Sequence, residues 1–221
     1  MKSRLLKIFT LCSVILLASC NDKAKEAETK AADDKAVAEA TATTFKVDPE
    51  TSVIEWTGYK PTGSHNGIIK VAKGTVEVND GSVESGNFAI DMSTIEVQDI
   101  PAEEEDNAKL KGHLQSPDFF NVEEYPMAKF EVTDITTEGD KTMLSGNLTL
   151  KDVTNNISFP VNVDFNEDQM MLNSETFSID RSKWNVKYGS KSFFDDLGDK
   201  FIDDKIELKV SLKANEVAAT Y

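Results

Sequence analysis

The feature that most limits what this chain can become is a two-residue rhythm of apolar side chains. Ile206, Leu208, Val210 and Leu212 alternate with Glu207, Lys209, Ser211 and Lys213. Phe159, Val161, Val163 and Phe165 alternate with Ser158, Asn162 and Asp164. Leu148 and Leu150 alternate with Asn147, Thr149 and Lys151; Phe88, Ile90 and Met92 share one face, as do Phe130 and Val132. Neighbouring side chains of a strand point to opposite faces, so such alternation describes strands with one dry face and one wet one. Turn signals punctuate the rhythm at Asp80-Gly81, Glu138-Gly139-Asp140, Asn155-Asn156 and Asn166-Glu167-Asp168. The result is about eight strands, mostly joined by short hairpins, in a single all-β domain. Closing such strands into an antiparallel barrel removes the exposed edges. An eight-stranded barrel is either filled by side chains or holds one small ligand, and alternation does not choose between the two.

Two stretches break the rhythm. Residues 103–116 carry helix formers, with Glu103, Glu104, Glu105 and Asp106 first and lysines later, as a helix dipole prefers. Pro117 ends that helix, and the acidic run reads as its start, since it lacks the ligand ladder of a calcium loop. Residues 181–200 read as a loop with a helical turn. The loop holds Trp184, Tyr188, Phe193 and Phe194, with Phe201 following, too many large apolar groups for a wet connection. It is expected to plug one barrel end. The other reading is a lid, with Trp184, Lys187 and Tyr188 meeting a ligand headgroup.

The first residues have a different texture. Lys2, Arg4 and Lys7 precede an apolar run from Ile8 to Leu17, and Leu17-Ala18-Ser19-Cys20 follows. A basic start, a short apolar core and small residues before a cut describe a secretory signal peptide over residues 1–19. A bilayer-spanning helix needs roughly 20 apolar residues, about twice this run. Removing Lys2, Arg4 and Lys7 takes the net charge of −15 for the whole chain to −18 for residues 20–221. That charge argues against nucleic acid as a partner. Residues 21–44 hold no aromatic group and almost no large apolar one, so they read as a solvated tether, and the barrel is expected from residue 45 to residue 221.

The Leu-Ala-Ser-Cys string resembles the bacterial lipobox, which implies lipidation of Cys20 after cleavage. Cys12 lies in the discarded segment, so an acylated Cys20 leaves no thiol for a disulfide, a metal or nucleophilic catalysis. A second resemblance covers residues 45–213. His113-Leu114-Gln115-Ser116-Pro117-Asp118-Phe119-Phe120, then Tyr125-Pro126-Met127-Ala128-Lys129-Phe130, is similar to the central signature of the YceI-like family of bacterial envelope proteins. Gly146 to Leu150 with Val153-Thr154, Phe159-Pro160-Val161, Trp56, His65, Gly67, Gly74 and Asp180 to Trp184 add to the likeness. The chain departs from the family at Leu110-Lys111-Gly112, where Arg-Asp is common, and at Asp152, where glycine is common.

The resemblance implies a lipocalin-like barrel with an elongated apolar lumen that holds a polyisoprenoid or a fatty-acid derivative, with no catalytic residues. The candidate lumen residues are Phe88, Ile90, Phe130, Val132, Leu148, Leu150, Phe159, Val161, Val163, Phe177, Ile179, Ile206 and Leu208. The alternative is a filled barrel that meets another envelope protein through its outer surface. His65 and His113 are the only histidines; without carboxylates at ligand spacing they suggest structural roles rather than a metal site. No cofactor and no metal are expected beyond the bound lipid, and the chain carries none of the common hydrolase, nucleotide or zinc-protease motifs. The expected location is the periplasmic face of a membrane through the lipid anchor; Asn21, not an aspartate, follows Cys20, which points to the outer membrane. A homodimer stays open.

Overall fold

The computed structural model describes residues 24–138 and 141–218. The expected signal peptide and Cys20 lie outside the described residues. Twelve strands form one sheet that closes on itself. In chain order they are β1 (Lys25–Glu26), β2 (Glu28–Ala31), β3 (Thr43–Val47), β4 (Val53–Lys60), β5 (Gly63–Asn79), β6 (Ser82–Val97), β7 (Met127–Glu138), β8 (Lys141–Leu150), β9 (Val153–Asn166), β10 (Gln169–Ser174), β11 (Phe177–Asp180) and β12 (Lys205–Glu216). Helix α1 (Glu105–Gln115) lies between β6 and β7.

The ring has eight wall positions, in line with the rhythm of the sequence. From β5 to β10 each strand pairs antiparallel with the next. The β3 and β4 segments share the position between β5 and β12, while β10 and β11 share the next position on the other side of β12. Closure leaves few unpaired edges, which is how an antiparallel sheet avoids presenting open strands to other chains.

Three strands change face partway along. In β5 the buried positions run Gly67, Ile69, Val71 and then Gly74, Val76, Val78, and the register slips between Val71 and Lys73. In β6 they run Phe88, Ile90, Met92 and then Ile95 and Val97. There the Asp91 carboxylate accepts from Ser93 N at 2.9 Å and Ser93 Oγ at 2.6 Å, tying off a local kink. In β7 a slip between Val132 and Asp134 does the same. A bulge inserts one residue and bends the strand, which long barrel strands need in order to coil.

The sequence misplaces one turn. Asn155 and Asn156 lie inside β9, and the β8–β9 turn falls at Lys151 and Asp152, with Lys151 left-handed at φ 54°. Asn156 is 1% exposed and donates through Nδ2 to Thr133 Oγ1 at 2.8 Å and Asn147 Oδ1 at 3.1 Å. Its Nδ2 is thus paired within the barrel wall, to β7 and β8, while its Oδ1 is buried without a donor among the described residues.

The tether expectation is also corrected. Residues 25–31 form β1 and β2, one extended stretch running between β11 and β9, parallel to the first and antiparallel to the second. Ala27 is 5% exposed, and its N–H donates to the Ser178 carbonyl at 2.8 Å. Beyond Ala31 the chain crosses the outside of the barrel as a belt. Asp33 N donates to Asn147 Oδ1 at 3.0 Å, and Asn147 Nδ2 donates back to the Asp33 carbonyl at 2.7 Å. Ala36 N reaches the Val132 carbonyl at 3.0 Å, and Glu39 N reaches Glu84 Oε2 at 2.8 Å. A segment without large apolar side chains still carries a donor and an acceptor at every residue, and two unfilled strand edges are enough to order it.

Candidate functional site

The barrel has two ends. The β5–β6, β7–β8 and β9–β10 connections gather at one of them. The β4–β5 hairpin, α1, the β8–β9 turn and residues 181–204 gather at the other, which they cap. The two halves of the interior differ.

The hairpin half is solid. Phe45, Val76, Val132, Leu144, Val161, Met170, Leu172 and Ala214 fill it, all buried. A row of rings crosses the middle: Phe88 to Phe130 at 6.2 Å between centroids, Phe130 to Phe159 at 5.7 Å, and Phe159 stacked on Phe177 at 4.2 Å. Gly146 makes room for this row, since a Cβ there would sit 2.3 Å from Phe130 Cζ.

The capped half holds an apolar cavity of about 300 Å3. Its wall comes from Ile54 and Trp56 on β4, Ile69 on β5, Ile90, Met92 and Ile95 on β6, and Ala128 on β7. Leu148 and Leu150 on β8, Ile179 on β11, and Ile206 and Leu208 on β12 complete it. Leu110, His113 and Leu114 of α1 close the top with Phe119, Phe120 and Ile202. Ile206 and Leu208 stay only half-buried because they face this space.

The thirteen candidate lumen residues therefore divide. Ile90, Leu148, Leu150, Ile179, Ile206 and Leu208 line the cavity. Phe88, Phe130, Val132, Phe159, Val161 and Phe177 belong to the packed core instead, and Val163 packs against it, partly buried. Alternation identifies the inward face but not the level at which large rings meet. The sequence reading missed Ile54, Trp56 and Gly58, which alternate along β4, and Leu110 and Leu114, which share one face of α1 four residues apart.

Trp184, Lys187 and Tyr188 do not line the cavity. Trp184 is fully buried, and its Nε1–H donates to the Leu148 carbonyl at 2.9 Å, so it is part of the plug. Tyr188 is 47% exposed and meets the His113 ring edge-on at 4.7 Å. Lys187 lies over the Phe193 ring. The His113 ring packs between Tyr188 and Phe119.

Arg181 holds the plug. It is fully buried and donates to the carbonyls of Val186 at 2.6 Å, Ile202 at 3.0 Å and Asp203 at 3.1 Å. Asp204 lies 3.5 Å away and Phe119 lies under the guanidinium. Burial pulls the Arg181 pKa down, and Asp204 opposes the shift.

The rim is polar: Tyr59 and His65 are each paired with a carboxylate, and Lys60 lines the cavity beside them. Tyr59 donates to Glu207 Oε2 at 2.7 Å; burial and that carboxylate push its pKa up to about 12. His65 Nδ1 lies 2.7 Å from Asp99 Oδ2. Burial works to raise the Asp99 pKa, and bonds from Asn66 N and His65 outweigh it, leaving the carboxyl below its ordinary value. Within the wall, the Trp56 indole N–H is buried with no acceptor among the described residues.

Two solved structures share this fold. Burkholderia cenocepacia BcnA superposes with a TM-score of 0.62 at 21% identity, covering 76% of this chain and 99% of BcnA. A polyisoprenoid binding domain from Saccharophagus degradans, implicated in plant cell wall breakdown, gives 0.57 at 14% identity, covering 79% and 99%. Among sequences, a UPF0312 protein of Photorhabdus laumondii is 37% identical over 83 residues, which is 37% of this chain and 43% of that protein. A UPF0312 protein of Pseudomonas putida is 29% identical over 128 residues, 55% of this chain and 62% of its own length. Protein YceI of Salmonella arizonae is 31% identical over 80 residues, 36% and 38% of the two chains. The chain thus spans about half the length of these relatives. The YceI-like domain matches residues 45–214 as one stretch, from within β3 to within β12, and the chain belongs to that family.

Proposed function

We propose that this protein binds the tail of a long-chain amphiphile, a polyisoprenoid or a fatty-acid derivative, in the capped half of the barrel. The observation that carries the reading is the cavity wall, formed almost wholly by apolar side chains. Moving apolar surface out of water releases about 0.8 kcal/mol per methylene, so about ten methylenes supply about 8 kcal/mol before the cost of ordering the tail. The cavity lies at the small end of the usual range for ligand pockets, roughly 300–1,000 Å3. It suits one stretch of a tail, with the head left at the rim. Tyr59, Glu207, His65 and Asp99 are already bonded in pairs, so Lys60 is the rim group left to meet a head. The Trp56 N–H offers one donor to an oxygen carried into the lumen.

The same reading makes the protein a carrier or store, not an enzyme. Cys20 would anchor it to the periplasmic face of a membrane, the outer one on the evidence of Asn21, with acyl chains holding it firmly. The test is native mass spectrometry of protein purified from membranes, followed by organic extraction. The expected result is a lipid adduct on the mature mass, with diacylglyceryl at Cys20. A clean unliganded mass from fully matured protein would rule out a tightly held tail and favour the filled-barrel interaction module.

A further inference from the structure

The wall beside the cavity is not built like the rest of the barrel. From β9 through β4 the strands are long and pair directly with their neighbours. Between β9 and β11 they do not. After Ser174 the chain leaves β9, and the gap from Asn155–Ser158 to Phe177–Ser178 is filled by β1 and β2. These two segments lie before residue 45, outside the part that matches the family. The ring is complete in the capped half only because an N-terminal segment has been laid into it.

That segment is held mainly by its backbone. Of residues 24–31 only Ala27 buries its side chain. Glu26 pairs with Lys205 at 3.0 Å and Lys183 at 3.4 Å on the surface, and such exposed pairs hold weakly. The strands that flank the segment bury Ile157, Phe177 and Ile179, and of these Ile179 lines the cavity. The loop that plugs the barrel end is held by side chains as well, since Arg181 ties three of its carbonyls together and Trp184 is fixed to β8.

We propose that residues 24–31 are a removable wall strand, and that the seam they fill is the lateral port through which a lipid tail reaches the lumen. The proposal rests on the tail-binding and Cys20-anchor readings above. Position supports it. Five peptide steps separate Cys20 from Lys25, which limits their distance to roughly 18 Å. A loose tether of residues 21–44 would reach roughly 80 Å. With Cys20 acylated, the seam is the part of the wall held against the bilayer. Lifting the segment away from β9 and β11 costs backbone hydrogen bonds and one buried methyl group, and it opens the lumen toward the acyl chains, not toward water.

The test is a reversible lock. Glu28 and Ser158 are paired across the seam, so Glu28→Cys with Ser158→Cys in the full, matured chain places two thiols at disulfide distance. Asn162→Cys with Asn173→Cys bridges β9 and β10, which pair directly, and serves as the control. Loading of cis-parinaric acid from phosphatidylcholine vesicles is followed by fluorescence, oxidised and then reduced, with each bridge verified by intact mass. The expected result is loading at least ten-fold slower in the oxidised seam variant, restored by reduction, with the control unaffected and the final occupancy equal. Equal rates in the oxidised and reduced seam variant overturn the port and leave tail binding standing. No probe uptake by any form, the unsubstituted chain included, overturns tail binding and the port together.

Discussion

Replacing Arg181 with Met tests whether the barrel cap is a rigid body. Methionine keeps an unbranched chain of similar reach and removes the guanidinium. Three carbonyls, those of Val186, Ile202 and Asp203, then lose their shared donor, and Asp204 loses its counter-charge. Asp204 keeps one partner, accepting from Ser192 Oγ at 2.6 Å. Removing one member of a buried pair costs about 3–5 kcal/mol, because the remaining charge and acceptors stay desolvated. In a domain of this size each kcal/mol moves Tm by about 2–4 °C, so the expected fall is roughly 6–20 °C. Thermal unfolding followed by circular dichroism measures it. Asp204→Asn alone leaves the carbonyl cluster intact and should cost about 1 kcal/mol. The double variant should lose less than the sum of the two, since it no longer buries a lone carboxylate. A fall of under about 2 °C for Arg181→Met would refute the reasoning, because it would mean that water or local relaxation satisfies the three carbonyls.

Three other outcomes are expected. Leu208→Trp projects a large ring into the cavity from a half-buried position; lipid adducts should drop at least ten-fold in native mass spectra while Tm stays within a few degrees. Gly146→Val drives a side chain into the Phe130 ring, where even a Cβ would lie 2.3 Å from Cζ; overpacking of this kind costs about 1–3 kcal/mol or more, read as a lower urea midpoint. Acid should loosen the wall strand first. The Lys205 bond, with help from Lys183 and against burial, holds Glu26 below its ordinary pKa of 4.5. A depressed folded value means the stabilisation is full above that pH and is lost as pH falls through the folded value. Hydrogen exchange at residues 24–31, normalised for intrinsic rates, should therefore rise relative to β8 between pH 5 and pH 3.

The strands of the barrel are legible in the sequence wherever the period of two runs unbroken. In β12 it runs from Ile206 to Leu212, and the strand is there, though its partners β4, β10 and β11 are not written in the alternation. It fails where a bulge swaps the faces: Ile68 to Lys73 reads as noise until the slip after Val71 is known. Helix α1 is legible from its acids and lysines, and Lys109 does pair with Glu105 and Asp106. The cavity is half legible. Ile179 and Phe177 have the same parity on one strand, yet one lines the open space and the other stacks on Phe159. Parity is local, while the choice between open and filled depends on rings arriving from four strands at one height. The belt is invisible to any pattern of side chains, because what places Asp33 is the amide of Asn147 and what places Ala27 is a carbonyl of β11.

The row of phenylalanines across the middle of the barrel turns the lumen into a cul-de-sac. A tail cannot thread through Phe88, Phe130, Phe159 and Phe177 to leave by the hairpin end. A guest longer than the pocket must therefore keep its remaining carbons somewhere else. If Cys20 is acylated as proposed, that place is the bilayer itself, and the protein would work less as a sealed container than as a clamp, gripping one end of a lipid whose other end has not left the membrane.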